Sequence, residues 1–519
     1  MLTENKQVSV LFVDVCDSTS LLQYADPEES RDYLGKALDL LVDAVETYGG
    51  TISQLLGDGL VALFGAPLAQ EDHALRACRA RKWLSELARS GLMVTAKRVL
   101  EGKKNSSICE AVAIAFSFAG LAKLGVRETS RHPFPTPFRS GMGSALRESL
   151  LRDIPRQQWR WSDVEGCTGR QTVHVVVANW RLPDAEPQMP SPDKDAFCTI
   201  TTVENRPGSF KDGKLYEPFG FRDGIAQPVI RGLRQEGGDN PKRVRQEAGL
   251  LYEDRVIAPG EFVVGYRNEY DELTYCPDAE HWTEFGRATH PGGRFTLNGS
   301  YLAVRQIEQN VEAFEALEAA SGNAICEKLM GRSKNGLPLS WKGDRSIPVS
   351  DSRADAFRDQ VEDANGFMCP KGAHIRRVNP RDSLGVDVKS GIKASKLHRL
   401  LRRGRPYLEK TEDRDNPKQG LFFIACNADL ERQFELIHQR WMRNFRFGNL
   451  HHEDDPVVGS PAQPKKFTIP GLPSGDEVSL QALTRTLGGG YFFLPGIKAL
   501  EFIVEHGAHP TLSDPGKLG

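Results

Sequence analysis

The sequence has almost no net charge and no long hydrophobic run. Its 67 lysines and arginines against 69 aspartates and glutamates leave a net charge of −2, so no strong field would draw the protein to nucleic acid or to an anionic membrane. The longest nearly apolar stretch, Ala111–Leu124, is shorter than the roughly 18–20 residues of a membrane-spanning helix. We therefore expect neither a nucleic-acid partner nor a membrane anchor.

Paired cysteines and an export signal are also missing. The nine cysteines are scattered and form no CxxC pair, which argues against both a disulfide framework and a structural zinc site. The opening residues lack a basic segment followed by an apolar one, so we expect a cytoplasmic protein with reduced thiols.

What the sequence does have is length and enough apolar material for a large core. Its 519 residues correspond to about three domains at roughly 100–200 residues each. Hydrophobic residues make up 39% of the chain, a share that disordered sequences do not reach. No repeat of about 20–50 residues indicates a solenoid or a propeller.

The first 67 residues have the pattern of a strand, a helix and a hairpin. Val8–Val15 predicts a strand, and Asp26 followed by Pro27 predicts the start of a helix, with the aspartate as N-cap. Two further strands, Thr51–Leu56 and Leu60–Phe64, flank a Gly-Asp-Gly sequence that indicates a tight turn.

Two aspartates in this unit suit metal binding. Asp14 lies in an apolar strand, where a carboxylate is costly to bury without a cation. Asp58 lies between two glycines at the hairpin tip, where the backbone can approach a phosphate closely. Adjacent strands would bring the two acids together to hold Mg²⁺ on a triphosphate. By spacing alone, a strand-end aspartate and an ordinary turn aspartate remain the alternative.

The segments FVDVCDSTSLL, GDGLVALFGAP and EDHALRACRA resemble the front half of a class III nucleotide cyclase domain. The resemblance covers roughly residues 6–80, and it implies that Asp14 and Asp58 stand where that family holds its two metals. No counterpart of the second half follows, and the groups that select the base and stabilise the transition state are missing. We expect a truncated, structural remnant with vestigial magnesium positions; residual nucleotide or metal binding is the alternative.

Four later segments carry residues suited to redox chemistry. In chain order they are GFRDG with Asp223, CPKGAHIRR with His374, the basic run LHRLLRRGRPY, and GGGYFFLP near the end. A histidine can bind haem iron, an aspartate can exchange a proton with peroxide, and an arginine can stabilise charge as the O–O bond breaks. Taken singly, each of these residues is more often a turn former, a core residue or part of a solvated face.

In combination the segments are more specific. GFRDG, CPKGAHIRRVNPRD, LLRRGRPY, GLFFIACNADLERQFELIHQRW and GGGYFFLPGIKAL occur in that order. Together they resemble the dye-decolorising peroxidases, from near Arg81 to about residue 503. The resemblance implies an α+β fold in which two ferredoxin-like halves, antiparallel sheets with helices, sandwich a haem b. The cyclase-like βα segment would precede them.

The resemblance also implies roles for individual residues. His374 would be the proximal ligand of the haem iron, and Asp223 the distal acid–base residue. Arg402 would be the distal arginine, with Arg403 as the alternative if the register shifts by one. Two less specific assignments are Asp429, as the acid that holds the proximal histidine, and Arg381, as the partner of a haem propionate.

The implied activity is that of a haem peroxidase. Hydrogen peroxide would oxidise the cofactor to a ferryl species, and dye-like or phenolic reductants, small or bulky, would return it to the resting state. The chain could form homo-oligomers, as members of the family often do. The alternative functions are a non-catalytic haem-binding or nucleotide-sensing protein and, third, a cyclase.

The resemblances divide the chain into three parts. Residues 1–80 are the cyclase-like segment, 81–290 the first peroxidase half and 291–519 the second. The usual opening strand of the first half is missing, but Leu60–Phe64 is followed by a helix predicted from about Glu71. We therefore expect this strand and helix to replace the opening strand and helix of the peroxidase.

A later helix is well marked. Leu430, Phe434, Ile437 and Trp441 are spaced i, i+4, i+7 and i+11, which predicts one apolar face turned to the core.

Overall fold

The computed structural model describes residues 9–14, 50–56, 59–64, 73–93, 109–152, 159–165, 170–181, 186–194, 196–197, 206, 208–211, 214–232, 251–282, 293–321, 323–342, 351–409, 418–458, 465–471 and 477–505. For residues up to 78 it describes the backbone alone.

Seventeen strands lie within the described ranges. They are β1 Ser9–Asp14, β2 Gly50–Leu56, β3 Gly59–Phe64, β4 Glu110–Phe116, β5 Trp161–Ser162, β6 Gln171–Thr172, β7 Val175–Arg181, β8 Phe210–Lys211, β9 Lys214–Leu215, β10 Val229–Ile230, β11 Val256–Ile257, β12 Ser300–Gln309, β13 Leu401–Leu408, β14 Gln419–Asn427, β15 Lys465–Thr468, β16 Glu477–Leu480 and β17 Thr484–Leu494.

The α-helices in these ranges are α1 His73–Arg89, α2 Phe118–Lys123, α3 Thr136–Ser140, α4 Ala145–Leu151, α5 Tyr252–Arg255, α6 Val311–Ser321, α7 Asn323–Met330, α8 Asp351–Ala354, α9 Asp359–Asp363, α10 His374–Val378, α11 Val388–Lys396 and α12 Ile497–Glu505. Glu431–Glu435 and Ile437–Met442 form π-helical turns, and Pro259–Glu261 and Phe447–Asn449 form 3₁₀ turns. Among the described helices, none has the length and apolar character needed to cross a bilayer.

The N-terminal strands form their own small sheet, in the order β1-β3-β2 with antiparallel pairing. This confirms the three strands predicted in the first 67 residues. Asp14, the last residue of β1, pairs with Gly59, which follows Asp58 in the sequence. Asp58 and the helix predicted from Asp26 lie outside the described residues, so the vestigial metal positions stay a prediction.

The expected replacement of the peroxidase's opening strand is wrong. Leu60–Phe64 lies in β3, and β3 pairs only with β1 and β2 among the described strands. Because β3 is hydrogen-bonded to β1 on one side and to β2 on the other, it is the central strand of a separate sheet and not an added edge strand.

The helix that follows does join the main body. In α1, Trp83, Leu84 and Leu87 are buried in the largest hydrophobic cluster. The guanidinium of Arg81 donates to the carbonyl of Leu124 at 2.8 Å. Since α1 begins at residue 73, the expected boundary at residue 80 falls inside a helix that packs on the main hydrophobic cluster.

The main sheet joins the two halves of the molecule. Its strand order is β13-β14-β12-β17-β4-β7, with β5 and β6 branching from β17. The second half supplies β12, β13, β14 and β17, and the first half supplies β4 and β7 as an antiparallel pair. The halves meet where Phe493 of β17 pairs with Phe116 of β4. This mixed α+β arrangement agrees with the fold expected from the sequence.

Strand β17 needs glycine where its neighbours come closest. A Cβ atom on Gly488 would lie 2.5 Å from the indole nitrogen of Trp161, and one on Gly489 would lie 2.6 Å from the sulfur of Met142. Such contacts are far inside van der Waals distance, so larger residues would displace β5 and the loop before α4. The Gly-Gly-Gly-Tyr segment is therefore a packing requirement of the sheet junction.

The helical segment after β14 buries the face predicted for it. Leu430, Phe434, Ile437 and Trp441 are all 7% exposed or less. The amide of Glu435 donates to the carbonyl of Leu430, a spacing of five residues that belongs to a π-helix rather than an α-helix. The prediction of the buried face is confirmed. The wider, π-helical turn of this segment was not predictable from the residue spacing.

A buried aspartate ties the two halves together at this junction. Asp163, 5% exposed, accepts hydrogen bonds from the backbone amides of Met142 at 2.9 Å, Gly143 at 3.1 Å and Tyr491 at 2.7 Å. Burial raises the pKa of Asp163 above its usual value, and these three amides oppose the rise. The carboxylate thus satisfies amides of both halves.

Asp163→Ala should destabilise the protein by about 3 kcal/mol or more, because three buried amides would lose their acceptor at about 1–3 kcal/mol each. Denaturant unfolding monitored by circular dichroism measures the loss. Asp163→Asn keeps one acceptor oxygen and should lose less. A loss below about 1 kcal/mol in the alanine variant would contradict the assigned role.

Candidate functional site

Asp223 lies in a tight loop, residues 219–224, called here the Asp223 loop. Gly220 and Gly224 bracket the aspartate with φ of +89° and +84°, left-handed conformations that glycine adopts at little cost. The amide of Asp223 donates to the carbonyl of Leu215 at 2.9 Å. The loop therefore presents its carboxylate from a fixed backbone.

A second acid, which is buried, holds the backbone of this loop in place. Glu217, 9% exposed, accepts from the amides of Phe219 at 3.0 Å and Phe221 at 2.8 Å. The side-chain amide of Gln309, at the end of β12, donates to the same carboxylate. Burial raises the pKa of Glu217, opposed by these hydrogen bonds. Glu217 thus anchors the Asp223 loop to the main sheet.

The carboxylate of Asp223 is surrounded by donors. Nη1 of Arg402, on β13, donates to Oδ1 at 2.8 Å. The amide of Gly224 donates to the same oxygen at 2.7 Å, and the amide of Gly404 donates to Oδ2 at 3.0 Å. The side chain of Asp223 is 10% exposed and that of Arg402 is 31% exposed. The carboxylate is thus nearly buried, while its arginine partner is partly exposed.

Two neighbouring arginines of β13 lie near the Asp223 loop, and they differ in what they contact. Arg402 donates to the carboxylate of Asp223, whereas Arg403 is exposed and its guanidinium lies near Gly224. Gly404 shares the face of Arg402, and a Cβ atom there would collide with the Asp223 carboxylate. Arg402 is thus the arginine that hydrogen-bonds Asp223, and its role as the distal arginine stays a prediction.

These contacts keep Asp223 ionised. Burial alone would raise the pKa of Asp223, but the charge and hydrogen bond of Arg402 and the amides of Gly224 and Gly404 outweigh it, so the pKa is lowered. A lowered carboxyl pKa leaves the group deprotonated at neutral pH. Asp223 therefore stays deprotonated, and able to accept a proton, into acidic solution.

His374, the first residue of α10, is paired with a different acid. Its Nδ1 lies 2.9 Å from Oδ2 of Asp455, whose side chain is wholly buried while that of His374 is 24% exposed. The other oxygen of Asp455 accepts from the amides of Val457 and Val458, both at 2.9 Å. Burial would raise the pKa of Asp455, but the charge and hydrogen bond of His374, the amide of Val458 and the charge of Lys465 lower it to about 2.

An ionised carboxylate can only accept a hydrogen bond, so Asp455 requires the hydrogen of a neutral His374 imidazole to sit on Nδ1. The lone pair then lies on Nε2, which is the nitrogen available to a metal. A single histidine oriented in this way is suited to ligate iron.

The expectation that Asp429 would hold His374 is wrong. Asp429 is 46% exposed and lies beside Arg432, whose amide donates to its Oδ1 at 2.9 Å. It therefore caps the start of the helical segment after β14. Asp455, in the sequence HEDDP, takes the position instead, and it follows His374 by 81 residues with no local pattern to connect them.

Arg377 fixes the position of His374 relative to Asp455. It is fully buried on α10, and its guanidinium donates to the carbonyls of Gly372 at 3.2 Å, Trp441 at 2.9 Å, Asn444 at 3.1 Å and Glu453 at 2.9 Å. One side chain therefore joins the helix of His374 to the segment that carries Asp455. Sequence reasoning assigned Arg377 no role.

The segment between α7 and residue 341 connects the Asp223 loop to the helix of His374. The carbonyl of Lys334 accepts from the amide of Arg222 at 3.1 Å, next to Asp223. Two residues apart on the same segment, Leu337 packs in one cluster with Ile225, and Leu339 packs in another with Ala373. One continuous segment therefore contacts both the Asp223 loop and the start of the helix that carries His374.

Arg381 belongs to a cationic group around one buried acid. Asp355 is wholly buried and forms ion pairs with Arg381, Arg255 and Arg332. Burial lowers the pKa of Arg332 and of Arg399 to about 10, and the charge of Asp355 opposes this. One carboxylate against four guanidinium groups leaves a positive region, which suits an anionic group of a ligand. Arg381 and Arg399 line its cleft.

Comparison with known proteins finds similarity to dye-decolorizing peroxidases. Residues 274–449 match the family described as "Dyp-type peroxidase, C-terminal". The dye-decolorizing peroxidase msp1 of Mycetinis scorodonius is 24% identical over 435 residues, 76% of either chain. The multifunctional dye peroxidase DyP2 of Amycolatopsis sp. is 28% identical over 465 residues, 82% of this chain and 89% of that protein. A solved dye-decolorizing peroxidase in complex with 2,6-dimethoxyphenol has TM-score 0.58 at 22% identity, covering 82% of this chain and 93% of that one.

A further similarity concerns a short stretch. Adenylate cyclase 1 of Rhizobium meliloti is 36% identical over 74 residues, which is 14% of this chain and 11% of that protein. A match of this length is a weak indication of the cyclase-like segment expected from the sequence.

Replacing Arg402 with leucine should raise the pKa of Asp223, because burial would no longer be outweighed by the neighbouring cation. A ¹³C NMR titration of labelled aspartate carboxyls measures it, with the resonance assigned by its loss in Asp223→Asn. The control is Arg403→Leu, in which the exposed neighbour is removed and the titration should not move. Equal shifts in both leucine variants, or a fall in Arg402→Leu, would contradict the account.

Proposed function

We propose that this chain is a DyP-type peroxidase that uses hydrogen peroxide to oxidise phenolic or dye-like organic molecules; the match of residues 274–449 and the similar fold support this. The observation that carries the proposal is the presence of two separate pairs, Asp223 with Arg402 and His374 with Asp455. The first suits proton exchange with peroxide and the second suits iron ligation.

The residues present fit haem, the cofactor of this family. Within the described ranges, no group of three or more histidine, cysteine or acidic side chains could hold a bare metal ion. In haem, the porphyrin supplies four ligands to the iron. One protein ligand is then needed, and His374 offers it through Nε2. When bound, the haem supplies the redox-active iron that accepts oxidising equivalents from peroxide. We assign haem b, the form whose attachment needs no covalent bond to the chain.

The positive region around Asp355 suits the acidic side groups of haem. Arg381 lies over the Phe357 ring at 3.7 Å from its centroid, with its guanidinium on Asp355. Arg399 lines the same cleft. We propose that Arg381 binds a propionate, as the sequence led us to expect.

Asp223 then serves as the acid–base residue. Its Oδ1 already accepts from Arg402 and from the amide of Gly224, while Oδ2 accepts from the amide of Gly404. Oδ2 therefore has more capacity for a further hydrogen, and it takes the proton of hydrogen peroxide and gives it to the departing oxygen. The lowered pKa of Asp223 ensures that the base is ready at neutral pH.

Arg402 stabilises the charge that develops in the same step. Its guanidinium is permanently positive and holds Oδ1 at 2.8 Å. With 31% of its side chain exposed, it can turn a second N–H toward an oxygen of bound peroxide. A cationic donor placed where negative charge develops acts on the transition state more than on the neutral substrate.

The physiological reductant is proposed only by chemical class. One solved relative carries 2,6-dimethoxyphenol, and the named relatives are dye peroxidases. Cytoplasmic location, the lack of a nucleic-acid or membrane partner, and homo-oligomerisation stay predictions, as does the division at residues 80 and 290. Cyclase activity is not proposed, because the similarity spans 11% of that relative.

Asp223→Asn should lower peroxide turnover by about 10²–10⁴-fold, because the base is removed, and Arg402→Leu by about 10²–10³-fold, because a charge-stabilising donor is lost. Steady-state oxidation of 2,6-dimethoxyphenol measures both, with the Soret band of each variant unchanged. Arg403→Leu is the matched control and should retain activity. Unchanged turnover in both of the first two variants would remove them from the mechanism.

Asp455→Ala should weaken haem binding by about 10–100-fold, because His374 would lose the partner that orients its ring. Titration of the haem-free protein with haemin, followed at the Soret band, gives the affinity. Asp429→Ala should bind as the unmodified protein does, and His374→Ala should show no ligated Soret band. Equal weakening in the two aspartate variants would contradict the assignment of Asp455.

A further inference from the structure

Three successive acids lie buried behind His374. Glu453, Asp454 and Asp455 are 2%, 8% and 0% exposed. Charges taken out of water are costly unless cations compensate them, and two cations meet the middle one. Arg443 donates to Oδ2 of Asp454 at 2.8 Å, and Lys465 lies 2.9 Å from Oδ1.

Lys465 is held as an ammonium ion. Its side chain, on β15, is 7% exposed, and Nζ meets three oxygens: a carboxylate oxygen of Asp454 and the carbonyls of Asp455 and Val458. All three are acceptors, and only the protonated amine offers three donors. A full positive charge is therefore fixed one peptide away from the acid that holds His374.

This charge acts on Asp455 without touching its carboxylate. Both oxygens of Asp455 are occupied, Oδ2 by His374 and Oδ1 by the amides of Val457 and Val458. Lys465 and Asp454 therefore influence His374 through the electric field rather than by replacing its partner. In a buried setting such fields are weakly screened.

The two charges act in opposite directions. A cation beside Asp455 weakens the carboxylate's pull on the Nδ1 hydrogen, so the imidazole donates less electron density to a metal on Nε2. An anion at the same place strengthens that pull. Less donation favours the reduced metal, and more donation favours the oxidised one.

We propose that Lys465 and Asp454 form a charge pair that sets the reduction potential of the iron bound by His374, Lys465 raising it and Asp454 lowering it. Both are positioning residues that act through Asp455. The inference rests on the proposed haem function. It adds a determinant of the reduction potential beyond His374 and Asp455.

Spectroelectrochemical titration of the haem-loaded protein tests the proposal. Lys465→Gln keeps a donor but removes the charge, so the potential should shift downward. Asp454→Asn should shift it upward, and the double variant should return close to the unmodified value. In Lys465→Arg, which keeps the charge, the potential should stay near that value.

A second readout separates tuning from damage. The iron–histidine stretching frequency in the resonance Raman spectrum of the ferrous protein should rise in Lys465→Gln and fall in Asp454→Asn. Lys498→Gln is the control, because Lys498 also meets a carboxylate at 2.8 Å but is half exposed on α12. It should change neither readout.

Shifts of the same sign in both single variants, or no shift in either, would overturn the proposal. Loss of the Soret band in Lys465→Gln and in the double variant would also overturn it, since the pair would then be needed to retain haem. Failure of the proposed function itself looks different, because the unmodified protein would then show no Soret band.

Discussion

The site depends on the hydrogen bond between His374 and the buried carboxylate of Asp455. A carboxylate without solvent is tolerated only where donors surround it, and here two backbone amides supply what the imidazole does not. That bond fixes which nitrogen of the ring carries hydrogen, and hence which one is left for iron. Arg377 holds the helix and the acid in register through four carbonyls.

In the second pair, Asp223 with Arg402, a carboxylate removed from solvent is again stabilised by surrounding donors. Asp223 is also nearly buried, but its donors include a guanidinium that is partly open to solvent. Asp455 is wholly buried and orients His374, whereas Asp223 is paired with a partly exposed arginine and is the residue proposed to exchange a proton. Two aspartates of equal intrinsic chemistry thus take different roles because of what surrounds them. The segment that carries Leu337 and Leu339 joins their supports.

Much of this was predictable from short motifs, and the failures have physical causes. Asp223, His374 and Arg402 stand in distinctive local sequences, and the fold brings Arg402 into hydrogen-bond contact with Asp223. Asp455 was missed because only tertiary folding brings residues 81 positions apart together, whereas Asp429 lies in a recognisable segment but caps a helix. The strand Leu60–Phe64 and its hairpin neighbour Thr51–Leu56 were predicted correctly. Its expected place in the peroxidase sheet was wrong, since the choice of sheet is not encoded in a strand's own pattern.

The central claim is that these two pairs act on one peroxide-reactive haem. The most direct test is a stopped-flow absorption measurement of the haem-loaded protein mixed with one equivalent of hydrogen peroxide. The account predicts a ferric Soret band that changes within the first turnover and returns when 2,6-dimethoxyphenol is added. A protein that binds haem with a Soret band indifferent to peroxide, or that binds no haem, would contradict it.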